Sequence, residues 1–189
     1  MILTAARRVF SEHGYYTAKV DDVAQCAGVS PATVYAVAGG KAGIRRALIE
    51  AWINALVLAV NVECSGHVAD GAVILDLVAN GVLEMRREWG DVMRLMLTTA
   101  PHDADAAELL AHATERYRAG LLLVARLLAE LGQLRPGVDV ARAEGLLWFY
   151  FGYSSLFTLV DDLRWSAGDA MGWLRAAAGE ALLASGTGS

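Results

Sequence analysis

Sulfur, lysine and proline are all scarce in this chain. Its 189 residues include two cysteines, Cys26 and Cys64. That is too few for a disulfide-built scaffold, and buried free thiols in an intracellular setting are the reading they favour. His13, His67, His102 and His112 are scattered. No pair of them has ligand spacing with a cysteine or carboxylate cluster, so no metal is expected, and no other cofactor. Prolines stand at 31, 101 and 136, where they punctuate helical patterns, and no alternating strand pattern appears. The longest uncharged run, residues 145–160, contains Gly152, Ser154, Ser155 and Thr158 and falls short of the roughly 20 apolar residues of a membrane span. Arg7 and Arg8 interrupt the apolar stretch near the start, so no signal peptide is expected there and the location is read as cytoplasmic. No serine and histidine are placed as nucleophile and base, and no glycine-rich loop enters a helix as a phosphate cradle. An enzyme is therefore not expected.

Apolar residues, by contrast, are abundant. They make up 56% of the chain, and mean hydropathy is +0.38. With no membrane span, this excess calls for a buried subunit interface and a ligand pocket. Net charge is −5, but it is unevenly spread. Residues 1–50 hold six Lys or Arg against four acids, and the remainder holds ten Arg against seventeen acids. Both lysines, Lys19 and Lys41, lie in the first segment. An acidic body would repel nucleic acid and leave the N-terminal face to meet it.

Residues 20–41 read VDDVAQCAGVSPATVYAVAGGK. Val20, Val23, Ala24 and Ala27 recur at helical spacing, and Ala24 is small enough for a second helix to cross it. Gly28 suits the left-handed turn that stops the first helix. Val29 can plug the angle between the two helices. Ser30 is a good N-cap and Pro31 fits the first position of a second helix. On that second helix Thr33 and Tyr35 face outward and Val34 turns inward. This is a helix-turn-helix pattern, the device that sets side chains in the DNA major groove. Residues 2–16 form a preceding helix with Ile2, Ala5, Ala6, Val9 and Phe10 on one side and Gly14 as its stop. A further helix begins near Lys41.

In Ala5-Ala6, Phe10, Gly14-Tyr15, Val20, Val23-Ala24, Ala27 to Ser30, Thr33 to Tyr35 and Gly40-Lys41, residues 2 to about 50 resemble the TetR (tetracycline-repressor-like) family of bacterial transcription regulators. The resemblance implies an all-α fold of about nine helices. A three-helix DNA-binding domain (1–46) joins a helical effector-binding and dimerisation domain (47–185), with a disordered tail (186–189). It also implies a homodimer, an inverted-repeat duplex DNA operator and a small-molecule effector. By position, Thr33 and Tyr35 would touch DNA and Lys41 a phosphate. Ser30, Pro31, Ala32 and Ala36 complete the candidate DNA-facing set. The family's usual histidine and aromatic after the tyrosine are replaced by Val37 and Ala38.

Beyond residue 62, helical patterns cover about 71–88, 91–99, 104–132, 139–164 and 168–185, with a break at 65–67. The stretch 145–160, GLLWFYFGYSSLFTLV, is apolar on every side and must be covered all round. Gly145, Gly152 and Ser155 fall near one stripe of it. With Met171, Trp173, Leu174, Ala178, Leu182 and Leu183 of the last helix, it is the candidate dimer interface. Candidate pocket residues are Met85, Trp89, Met93, Met96 and Leu97, and then Tyr117, Trp148, Phe151 and Tyr153. They describe an adaptable, mostly apolar cavity in which Arg94 and Tyr117 are the polar groups. Two functions stay open: a ligand-responsive repressor, and a dimeric small-molecule- or protein-binding module that has lost sequence-specific DNA recognition.

Overall fold

A computed structural model describes residues 1–60 and 70–184; Cys64, His67, the break at 65–67 and the tail lie outside the described residues. Among the described residues the fold is all-α, with nine α-helices: α1 (Ile2–His13), α2 (Val20–Ala27), α3 (Pro31–Ala38), α4 (Gly40–Val60), α5 (Gly71–Thr99), α6 (Ala104–Glu130), α7 (Val140–Phe151), α8 (Tyr153–Phe157) and α9 (Ala167–Leu182). A short 3-10 turn (Ala100–His102) precedes α6, and a π-turn (Thr158–Asp162) follows α8. The chain folds into two compact units, one from Met1–Leu56 with Glu88–Thr114 and one from Val57–Arg87 with Glu115–Ser189.

The first unit is built on the helix-turn-helix. Gly28 takes the left-handed conformation (φ 68, ψ 32) that stops α2, and Ser30 caps α3 by accepting a 3.1 Å hydrogen bond from the Thr33 N–H. Such a cap contributes about 1 kcal/mol. Val23, Ala24 and Ala27 of α2 and Val34 of α3 are buried, as are Ala5, Ala6, Val9 and Phe10 of α1. Two consecutive left-handed glycines, Gly39 (φ 67) and Gly40 (φ 71), turn the chain from α3 into α4. A Cβ on Gly43 would lie 1.9 Å from the Ala38 carbonyl oxygen, so the start of α4 approaches α3 as closely as only glycine allows. Ile44, Leu48, Ile49, Trp52, Val92 and Met96 complete this unit's core.

In the second unit, Ile74, Leu75, Leu121, Leu128, Leu147, Phe151, Met171, Leu174 and Leu182 form the core. An antiparallel bridge, Leu134 to Leu183, ties the segment after α6 to the end of α9.

Two boundaries differ from the expected ones. Residues 71–99 form one helix, not two. The isolated Gly90 costs a helix only about 1 kcal/mol, and the buried stripe of Ile74, Leu75 and Val78 resumes beyond it at Val92, Leu95 and Met96. Residues 139–164, expected as one helix, break at Gly152, which is extended (φ −70, ψ −180). A Cβ there would lie 2.3 Å from the Trp148 carbonyl oxygen. The carbonyls left open by the break find side-chain donors: Tyr117 Oη donates to Phe151 O at 2.6 Å, and Ser155 Oγ donates to Phe149 O.

Candidate nucleic-acid interface and ligand cavity

Helix α3 presents one continuous exposed face. Pro31, Ala32, Thr33, Tyr35 and Ala36 all lie on it, Tyr35 at 60% exposure, while Val34 is fully buried. Ser30 is exposed at its N-terminus, and its hydroxyl also meets Thr33 Oγ1 at 2.9 Å. The face carries small apolar groups, one ring and two hydroxyls. It has no Arg, Asn or Gln, the residues that read bases by paired hydrogen bonds. Val37, 71% exposed, stands where the family's histidine is expected.

Lys41 is partly committed inside the protein. Its ammonium donates to the carbonyls of Tyr16 (3.1 Å) and Ala18 (2.9 Å) and lies 4.6 Å from the centre of the Tyr15 ring. Burial lowers its pKa. Three donors on an ammonium leave one for a phosphate. The four arginines of residues 1–50 are also engaged. Arg7 holds Asp91 through Nε (2.8 Å) and Nη2 (2.7 Å), Arg8 pairs with Glu12, Arg45 holds Asp103, and Arg46 pairs with Asp105. The positive balance counted along the chain is thus largely consumed by these partners.

The candidate pocket residues divide between the two units. In the first, Met93 and Met96 are buried, Leu97 is half-buried, and Trp89 lies under the Arg7 guanidinium, 4.9 Å from ring centre to Cζ. In the second, Met85 is half-buried and Phe151 is in the core. Tyr117, Trp148 and Tyr153 converge, with ring centres 5.2–5.8 Å apart. Tyr117 is buried, and burial raises its pKa far above the usual phenol value. The helical spacing of these aromatics therefore brings three of them into one cluster, whose rings fill each other's space.

A cleft of about 220 Å³ lies elsewhere, in the first unit. Its walls are Arg7, Phe10, Ser11, Gly14 and Tyr15 from α1 and its end, Leu48 from α4, and Asp91, Val92, Arg94, Leu95 and Thr98 from α5. Arg94 lines it, but none of the nine apolar and aromatic pocket candidates does. The pairings that build this region, Arg7 with Asp91 and Arg45 with Asp103, join residues 84 and 58 positions apart. No local motif signals them.

Against known proteins, residues 2–48 match bacterial regulatory proteins of the tetR family. No curated protein sequence matches the chain significantly. Several solved structures share the fold over nearly the whole chain. A TetR family regulator from Thermus thermophilus superposes with a TM-score of 0.72 at 24% identity, covering 99% of this chain and 96% of that one. A transcriptional regulator from Saccharomonospora viridis, solved with choline, gives 0.78 at 21% identity over 97% and 96%. The regulator FadR from Bacillus subtilis, solved with stearoyl-CoA, gives 0.73 at 17% identity over 95% and 97%. Residues 2–48, folded as a helix-turn-helix with its second helix exposed, thus match the tetR family of bacterial regulatory proteins, and the chain as a whole shares the fold of the solved regulators.

Proposed function

We propose that this regulator is a homodimeric, ligand-responsive repressor of the cytoplasm that leaves an inverted-repeat operator when a small apolar or aromatic effector binds its C-terminal body. The observation that carries the DNA-binding part is the exposed face of α3, Pro31 to Ala36, on a helix whose partner side, Val34, is fully buried. With little base-reading chemistry on that face, specificity rests on thymine-methyl contacts from Ala32, Ala36 and Tyr35 and on DNA shape. Thr33 and the remaining donor of Lys41 serve the phosphates.

The dimer reading rests on apolar groups that the single chain leaves uncovered: Phe149 of α7 (64% exposed) and Trp173 of α9 (52%). Gly145 and Gly172 are exposed on the same two helices, and no atom lies within 4 Å of a Cβ built on either. Small residues beside large knobs suit close packing of helices from a second copy, and two-fold symmetry then calls for an inverted repeat. The effector reading draws on the aromatic and methionine content of α5 to α8, and on the choline and stearoyl-CoA held by two structural relatives. A coupling of about 1–3 kcal/mol changes operator affinity roughly 5–150-fold.

Footprinting the purified protein on the DNA upstream of its own gene tests the proposal. A protected inverted repeat, weakened by Tyr35→Ala, is the expected result. Absence of any protected site, with the fold intact by circular dichroism, favours the alternative of a binding module without DNA recognition. Val37 and Ala38 at the positions of the usual histidine and aromatic keep that alternative in view.

A further inference from the structure

We infer that Gly40 is a positioning residue for DNA recognition and acts through the ring of Tyr35. The inference rests on the DNA-binding reading above and deepens it.

Tyr35 is the largest group on the exposed face of α3, and most of its surface is open. A ring that open would sample several rotamers and lose them on meeting DNA, at a cost in affinity. Its surroundings limit that freedom. The neighbouring Val34 is fully buried and sets the rotation of α3. The Tyr35 carbonyl accepts from the Gly39 N–H at 3.0 Å, so the helix cap holds the backbone under the ring. The ring itself leans on Gly40, the buried first residue of α4. A Cβ built on Gly40 would lie 2.7 Å from Tyr35 Cε1 and 3.0 Å from Cδ1, so one edge of the ring fills the space that a side chain would need. Gly43, one turn further on, is a different case. The atom its Cβ would strike is the Ala38 carbonyl oxygen, so a side chain there must push helix backbone aside. At Gly40 the obstacle is the ring alone. A side chain at 40 therefore turns the Tyr35 ring while α3 keeps its place. Gly40 also has a positive φ of 71°, so alanine adds backbone strain. That strain is independent of Tyr35, which allows the two effects to be separated.

A double-mutant cycle on the full-length protein tests this. The probe is a fluorescent duplex carrying the footprinted site or, where footprinting protects none, a random-sequence duplex at low salt. Gly40→Ala should weaken binding about tenfold when Tyr35 is present, the cost of ordering one released ring. With Tyr35→Ala already in place, the same substitution should cost less than about twofold, because the group it acts through is gone. Gly40→Asn repeats the cycle with little strain, since asparagine tolerates the left-handed backbone, and it should give the same pattern. Thermal unfolding confirms that each variant is folded at the assay temperature. Equal losses with and without the Tyr35 ring, or no loss from either Gly40 substitution, would overturn the inference and leave DNA binding standing. A wild-type protein that binds neither duplex overturns the DNA-binding reading and this inference together.

Discussion

Arg45 of α4 meets Asp103, the residue that opens α6, fork to fork: Nη1 to Oδ2 and Nη2 to Oδ1, both at 2.7 Å. The two ends of this pair are unequal. The Arg45 side chain is 4% exposed and the Asp103 side chain 35%. Asp103 has a second duty, since its Oδ1 accepts from the Ala106 N–H at the start of α6. The pair therefore ties α4 to the N-terminus of α6.

That inequality predicts an order. Asp103→Ala strands a buried guanidinium and removes a helix cap. Arg45→Met leaves a carboxylate that still caps α6 and faces water. Breaking a buried pair is worst when the deeper charge is left alone. Urea unfolding should show Asp103→Ala as clearly the less stable variant. Equal losses would mean that the burial difference has no energetic weight.

The same pair sets an acid limit. Its hydrogen bonds from Arg45, and then from Ala106, hold the Asp103 carboxyl below its ordinary pKa, and Arg118 does the same for Glu144. A carboxyl more acidic in the folded than the unfolded chain stabilises above its unfolded pKa, about 4. That stabilisation is lost as pH falls through the lower folded value. Melting temperature should be insensitive to these groups from pH 7 to about 5 and fall below about 4. Asp103→Asn should flatten the acid limb without adding a slope near neutrality.

Salt dependence of DNA binding should be shallow. Arg7, Arg45 and Arg46 are held by aspartates, Arg8 pairs with Glu12, and Lys41 spends two donors on carbonyls. A plot of log affinity against log salt should have a slope of magnitude no more than about 2–3 per protomer. Lys41→Ala should lower that slope by no more than about 1 and cost about 1 kcal/mol of stability through its lost carbonyl bonds. A slope several units steeper would show phosphate contacts that these pairings do not leave room for.

Tyr117→Phe should cost about 1–2 kcal/mol, because the Phe151 carbonyl loses the donor that serves it where α7 ends. A spectroscopic alkaline titration should show Tyr117 ionising well after an exposed phenol does, in line with its burial. Loss of ligand response without loss of stability would instead assign the hydroxyl to an effector.

Phe149→Glu and Trp173→Glu should leave the single chain folded, since both side chains are mostly exposed in it. Sedimentation should nonetheless shift toward monomer, and operator affinity should fall with it. A wild-type protein that sediments as a stable monomer at micromolar concentration removes the basis for this expectation.

The helix-turn-helix was legible in the sequence because its determinants are local. Gly28, Ser30, Pro31 and the spacing of Val23, Ala24, Ala27 and Val34 act within a few residues of one another, so backbone conformation and capping settle them before any distant partner is met. The all-α class and most helix spans followed from the same short-range periodicity. Longer-range features were not legible. That α5 continues through Gly90 and that α7 stops at Gly152 depends on what packs against each glycine, and a sequence shows two identical residues. The commitment of Arg7, Arg45, Arg46 and Lys41 to partners in the chain was hidden for a related reason. Charge counted along a sequence carries no information on which carboxylate or carbonyl folding brings within hydrogen-bonding reach. The cleft beside α1 is of the same kind: its walls come from three helices far apart in the chain, and only tertiary packing brings them together.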